Sequence, residues 1–203
     1  MLSKTGLSMR ALVGASVMVG VAHGAAFVNG GFELGPDPGS YATKGAGNTS
    51  ITGWTVTGHS IDYIGTLWQH GEGIRSLDLN GGGQGGIQQT FDTVLNQVYA
   101  VTFLMAGNPD GPPAVKTLTA AAGSFSGNFT ATAGTRVAMG WTIKSFNFTA
   151  QGASTTLSFA SQDAGVYGAA LDGVTLAPVP EPFTLLLAGG ALAMGVRRRA
   201  RRA

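Results

Sequence analysis

The chain predicts an all-β fold, an antiparallel two-sheet jelly-roll sandwich, and three observations carry that expectation. No window between residues 27 and 176 holds a 3.6-residue apolar period for three turns with good helix formers. About ten short β-branched or aromatic runs follow one another instead, with Gly-rich connections between them. The 203 residues contain no cysteine, so the fold must rest on a core or a metal rather than on disulfides.

In chain order, Ile51–Thr57 and Ser60–Ile64 are two such runs, divided at Gly58-His59, where His59 reads as a turn residue. Ser76–Leu79 alternates, with Leu77 and Leu79 on one face and Ser76 and Asp78 on the other. The Gly81–Gly86 stretch is a flexible break before the alternating Ile87–Phe91. Val98–Met105 is the most apolar run and is expected in the middle of a sheet. Asn108-Pro109-Asp110-Gly111-Pro112-Pro113 is a loop by composition. Further strands are expected at Val115–Ala121, Gly123–Phe129, Arg136–Ile143, Lys144–Thr149, Thr155–Ala160 and Tyr167–Leu176. Such a series folds as two packed sheets.

Both ends read differently. Lys4 and Arg10 precede the apolar stretch Ala11–Ala22, and small residues follow at Gly24-Ala25-Ala26. That is the pattern of a secretory signal peptide over 1–24, with cleavage as late as 26. Residues 177–182 form a Pro-rich linker ending in Pro180-Glu181-Pro182. The apolar run Phe183–Val196 follows, then Arg197, Arg198, Arg199, Arg201 and Arg202. As a helix the run covers about 21 Å against a hydrocarbon core of about 30 Å, short for a permanent span. The arginines would hold the 197–203 tail in the cytoplasm. Proline pair, short apolar helix and arginine cluster together resemble the PEP-CTERM sorting signal of Gram-negative bacteria. The resemblance implies an exosortase-type partner, a transient inner-membrane anchor and a cell-surface or extracellular destination.

The formal charge of +2 belongs to these ends. Between Ala25 and Pro178 there are five bases and nine acids, a net charge of −4. A mildly acidic domain with scattered bases has no footprint for phosphate backbones, which excludes nucleic acid as a partner. Thiol catalysis is excluded with the cysteines. Neither a Gly-x-Ser-x-Gly elbow nor His-Glu-x-x-His nor a phosphate loop occurs. A pair of carboxylates at glycosidase spacing remains open among the nine acids.

The domain has a family resemblance of its own. It is carried by Asn29-Gly30-Gly31-Phe32-Glu33, Ile51-Thr52-Gly53-Trp54 and Ile61-Asp62-Tyr63-Ile64. It continues through Gly73–Gly81 into Ile87-Gln88-Gln89-Thr90-Phe91, then Tyr99–Gly111 and Ala170–Val174. In this order the segments resemble the bacterial choice-of-anchor C family. That family is similar to plant cell-wall proteins carrying a domain of unknown function with a galactose-binding-like jelly roll. The resemblance spans 27–176 and implies a fold and a surface location, but no reaction. Resemblance of the expected fold to carbohydrate-binding jelly rolls implies a structural calcium joining first and last strands, with Glu33 and Asp172 at the matching positions. The alternative is that Glu33 caps a turn and Asp172 accepts backbone hydrogen bonds.

For a ligand, the sequence offers Trp68-Gln69-His70, which sets aromatic, amide and imidazole groups side by side among Gly65, Gly71 and Gly73. Sugars present C–H faces to rings and hydroxyls to polar groups, so such a loop is the expected platform. Otherwise Trp68 closes one end of the sandwich. Trp54 and Trp141 are expected in the core. The expected role is a non-catalytic carbohydrate-binding module of the cell surface or matrix. A purely structural matrix component and a glycan-active enzyme are the alternatives.

Overall fold

The computed structural model describes residues 25–180. The expected signal segment at 1–24 and the sorting segment from Glu181 through Arg197, Arg198 and Arg199 to Ala203 lie outside the described residues. Among the described residues there are eleven strands and no helix. They are β1 (Tyr41–Gly45), β2 (Thr55–Gly58), β3 (Ser60–Ile64), β4 (Ser76–Asp78), β5 (Gly85–Asp92) and β6 (Val98–Gly107). β7 (Val115–Ala122), β8 (Phe125–Thr132), β9 (Thr142–Thr149), β10 (Ser154–Ser161) and β11 (Ala169–Pro178) complete them.

All the strands pair antiparallel, in a six-stranded sheet ordered β1-β3-β4-β11-β6-β9 and a five-stranded sheet ordered β2-β5-β10-β7-β8. The last eight strands give the winding away. β4-β11-β6-β9 faces β5-β10-β7-β8, so the chain crosses between sheets as an eight-stranded jelly roll does. β1 and β3 widen the first sheet beside β4, and β2 widens the second beside β5.

Alternation builds the core. Val101, Phe103 and Met105 of β6 point inward, as do Leu118 and Ala120 of β7 and Leu157 and Phe159 of β10. Phe103 meets Phe129 and Phe159 edge-on, with ring centroids 5.1 and 5.0 Å apart. Trp54 is buried here, tilted against Phe32 and donating its indole N–H to the Asn29 carbonyl.

Two elements differ from expectation. Tyr41–Gly45 is a strand that the sequence does not announce, because it is a half-exposed edge strand with no buried alternation to reveal it. Arg136–Ile143 is not a strand. Met139, Trp141 and Ile143 alternate in apolarity, but the chain loops across 133–141, with Gly140 at φ +72, before β9 begins. Lys144–Thr149 is the body of that one strand.

The loop has a packing reason. Met139 and Trp141 lie with Ile64, Leu67, Trp68, Ala106 and Ala170 in a second apolar cluster. Ala106 and Ala170 alternate with core residues of β6 and β11, so this cluster lies on the outer face of the six-stranded sheet. The 65–75 connection therefore folds back over that face and leaves a cleft beside it.

Candidate functional site

Register defines the floor of the cleft. Across β1, β3 and β4, Thr43 stands opposite Asp62, and Asp62 opposite Asp78. Asp78 stands opposite Ala170 of β11. The next row runs Tyr41, Ile64, Ser76. Because Ile61, Tyr63 and Leu77 are committed to the core, alternation forces both aspartates outward. Facing residues on antiparallel strands lie about 4.5–5.5 Å apart at Cα, and like charges so placed repel. Asp62 and Asp78 therefore stand side by side, and their repulsion adds to the upward push that burial gives the Asp78 carboxyl.

The cleft is about 390 Å³ in volume, within the usual range for small-molecule sites. Tyr41, Trp68 and Tyr167 supply aromatic lining, and Asp62, Asp78, Asn108, Asp110 and Arg136 supply the polar groups. Tyr41 is 51% exposed and Tyr167 36%, so both offer ring surface to a ligand. Asp62 accepts the Thr43 hydroxyl through Oδ1, and Oδ2 has no partner among the described residues. Asp78 is almost wholly buried. Its Oδ1 accepts the Asn80 and Gly168 amides at 2.9 and 3.0 Å, and its Oδ2 accepts the Asn108 side-chain amide. Arg136 grips Asp110 through two parallel bonds of 2.7 and 3.0 Å.

Lys116 is the supporting residue that sequence reading passes over. It sits at an inward position of β7, in line with Leu118, Ala120 and Ala122, and is fully buried. Its Nζ donates to the carbonyls of Gly111 (2.9 Å) and Tyr167 (2.6 Å), tying together the two loops that carry Asp110 and Tyr167. Burial pulls its pKa down, while Asp163 and Asp78 push it up. A lysine among inward-facing Leu118, Ala120 and Ala122 is the signal that could have found it.

Of the expected ligand residues, Trp68 lines the cleft, but it is only 5% exposed and its indole N–H donates to Ser76 Oγ at 2.9 Å. Gln69 turns away from the cleft. Its side-chain oxygen accepts the Met139 amide and its carbonyl accepts the Trp141 indole N–H. His70 lies 3.1 Å from Ser76 Oγ through Nδ1, and burial moves its imidazole pKa down. The three residues staple the 65–75 loop to its surroundings.

The proposed metal residues hold the same loop. Glu33 Oε1 accepts the Ile74 and Arg75 amides at 2.8 and 3.0 Å. Asp172 Oδ2 accepts the Gly71 and Glu72 amides at 2.9 and 3.0 Å, and Oδ1 accepts the Gly173 amide at 2.7 Å. The approach is close enough that a Cβ on Gly73 would lie 2.1 Å from Glu33 Oε1, and Gly73 has φ +54. Calcium takes about 6–8 oxygens with lone pairs turned to the ion. Here five N–H groups point at the two carboxylates. Among the described residues no group of three or more His, Asp or Glu is placed to hold a metal. This donor set suits a loop anchor and does not suit calcium.

Residues 25–177 match the family described as a protein of unknown function, DUF642. The chain belongs to the DUF642 family. Halomucin of Haloquadratum walsbyi is 28% identical over 162 residues, which is 76% of this chain but only 2% of halomucin. The fold is similar to TmCBM61, solved in complex with β-1,4-galactotriose, at 13% identity and a TM-score of 0.48, covering 76% of this chain and 99% of that one. It is also similar to the CBM22-1 xylan-binding domain of Paenibacillus barcinonensis Xyn10C, at 17% identity and a TM-score of 0.46, covering 68% and 90%.

Burial drives the carboxyls of Asp78 and Asp172 up to about 7, against hydrogen bonds that favour their ionised forms. Their ordinary value is 3.8, so between about pH 4 and 7 these two carboxyls hold more protons in the folded domain than in the unfolded chain. This stability is fully present below that window and is lost as pH rises through about 7. His70, shifted down, acts in the opposite sense below its ordinary 6.5. The Asp78→Asn variant isolates one aspartate. It is expected to flatten the decline in melting temperature between about pH 5 and pH 8. A variant whose pH profile parallels that of the native protein would show Asp78 ionised throughout.

A chelator is expected to leave the melting temperature unchanged. Glu33→Ala, which frees two loop amides, is expected to lower stability by about 1–2 kcal/mol with or without calcium. A calcium-induced rise in melting temperature that Glu33→Ala abolishes would reinstate the ion.

Proposed function

We propose that this domain is a non-catalytic glycan-binding module of the cell surface or extracellular matrix, with the cleft over the six-stranded sheet as its site. The observation that carries this reading is the pairing of exposed Tyr41 and Tyr167 rings with a floor of Asp62 and Asp78 and a rim of Asn108, Asp110 and Arg136. Ring surface takes the C–H face of a sugar and the free oxygen of Asp62 takes a hydroxyl, while Asp78 and Asn108, bonded to each other and to backbone amides, shape the floor. The site is preformed, because Lys116 and the Asp110–Arg136 pair fix its loops without a ligand.

Delivery is proposed to follow the terminal segments: export by the signal peptide, then exosortase-type sorting at Pro180-Glu181-Pro182. Pro180 is exposed just beyond the end of β11, where a processing enzyme would need it. Mass analysis of the secreted protein is expected to find chains that end before Phe183. Intact chains in the cytosol would remove the sorting proposal.

Glycan-array retention of the purified protein tests the binding role. Retention on a defined glycan set is expected, with Tyr167→Ala weakening it on the order of tenfold, the equivalent of about 1.4 kcal/mol. Failure to retain any glycan would leave a purely structural role, and release of reducing sugar would turn the reading towards an enzyme.

A further inference from the structure

The charge of the cleft narrows the class of glycan, and this step rests on the glycan-binding reading above. Three carboxylates and one guanidinium line it. Arg136 is already taken up by Asp110. Asp62 and Asp78 have no lysine or arginine within ion-pair distance among the described residues. The nearby buried cation, Lys116, directs its Nζ to the Gly111 and Tyr167 carbonyls. The cleft floor thus carries two acids outside any ion pair, Asp62 with one oxygen free and Asp78 satisfied from within the protein, with the aromatic residues Tyr41, Tyr167 and Trp68 around them.

A uronate or sulfate brought onto that floor would meet like charge with no free cation to receive it. An N-acetylated sugar would find hydrogen-bond acceptors but would bring no charge. An ammonium group fits both features. It donates charge-assisted bonds to carboxylates, Asp62 Oδ2 being without a protein donor among the described residues, and it is attracted to aromatic rings. We infer that the cleft selects glycans carrying free amino groups, such as a de-N-acetylated hexosamine chain, over N-acetylated and uronic-acid chains.

Proton linkage follows from the surroundings of Asp78. Asp62 faces it from β3, the Asn108 side chain and the Gly168 amide reach it from two loops, and Arg136 and Tyr167 share its cleft. Asp163 and Lys116 lie behind it. With its carboxyl at about 7, an arriving ammonium would shift Asp78 towards the ionised form and displace a proton into solvent.

Calorimetric titration of the purified protein with glucosamine, N-acetylglucosamine and galacturonate oligomers of equal length decides the matter. The amino oligomer is expected to bind at least about tenfold more tightly than the acetylated one. Its advantage should shrink as salt is added and disappear in Asp62→Asn, whose melting temperature is checked in parallel. The salt dependence reads the same interaction without any variant. Equal or tighter binding of the acetylated or acidic oligomer overturns the amino-sugar inference and leaves the glycan reading intact. Binding of none of the three overturns the amino-sugar inference alone, and retention of any neutral glycan on the array keeps the glycan reading.

Discussion

The site depends on a loop held in place by two carboxylates. The 65–75 connection would ordinarily stand off the end of a sandwich. Here Glu33, before the first strand, and Asp172, on the last, accept its backbone amides from two sides. Trp68 is pressed onto Ile64, Ala106 and Ala170, and Ser76 takes its indole N–H. Folding the loop down converts an open sheet face into a floor with a wall. Four amides of one loop, accepted by two carboxyl groups from opposite ends of the domain, tie that loop to the sheet without a disulfide.

The rest of the cleft follows from register. A one-residue slip between β3 and β4 would send Asp62 or Asp78 into the core and break the row with Thr43. Leu77 and Tyr63, facing each other on the core side, prevent that slip. Lys116 performs the matching task on the far wall, where two carbonyls from separate loops converge on one buried ammonium. The domain therefore accepts a buried lysine and adjacent carboxylates, both costly, in exchange for a preformed surface.

Much of the fold was readable from period alone. Ser60–Ile64 and the β6–β7 region stand where alternation put them, and Trp54 is buried beside Gly53 as its neighbours implied. Tyr41–Gly45 was hidden because an exposed edge strand has no apolar alternation to display. Met139, Trp141 and Ile143 imitated a strand because apolarity at every second position says nothing about Gly140, whose left-handed backbone turns the chain. The site was legible only in part. Trp68, Gln69 and His70 do share one loop, but the sequence gives no clue that Gln69 and His70 turn their polar atoms to Met139, Trp141 and Ser76. Asp78 was recognisable as facing away from Leu77 and Leu79, whereas its adjacency to Asp62 is a fact of strand order, and strand order is not local.

Amide hydrogen exchange on the free protein tests the central claim most directly, because it reads the loop anchors one N–H at a time. If the carboxylates hold the loop, the amides of Gly71, Glu72, Ile74 and Arg75 should exchange as slowly as those of neighbouring strands. Exchange of all four at the rate of an unstructured peptide would mean that the loop does not rest on the sheet, and that the cleft is not a property of the free protein.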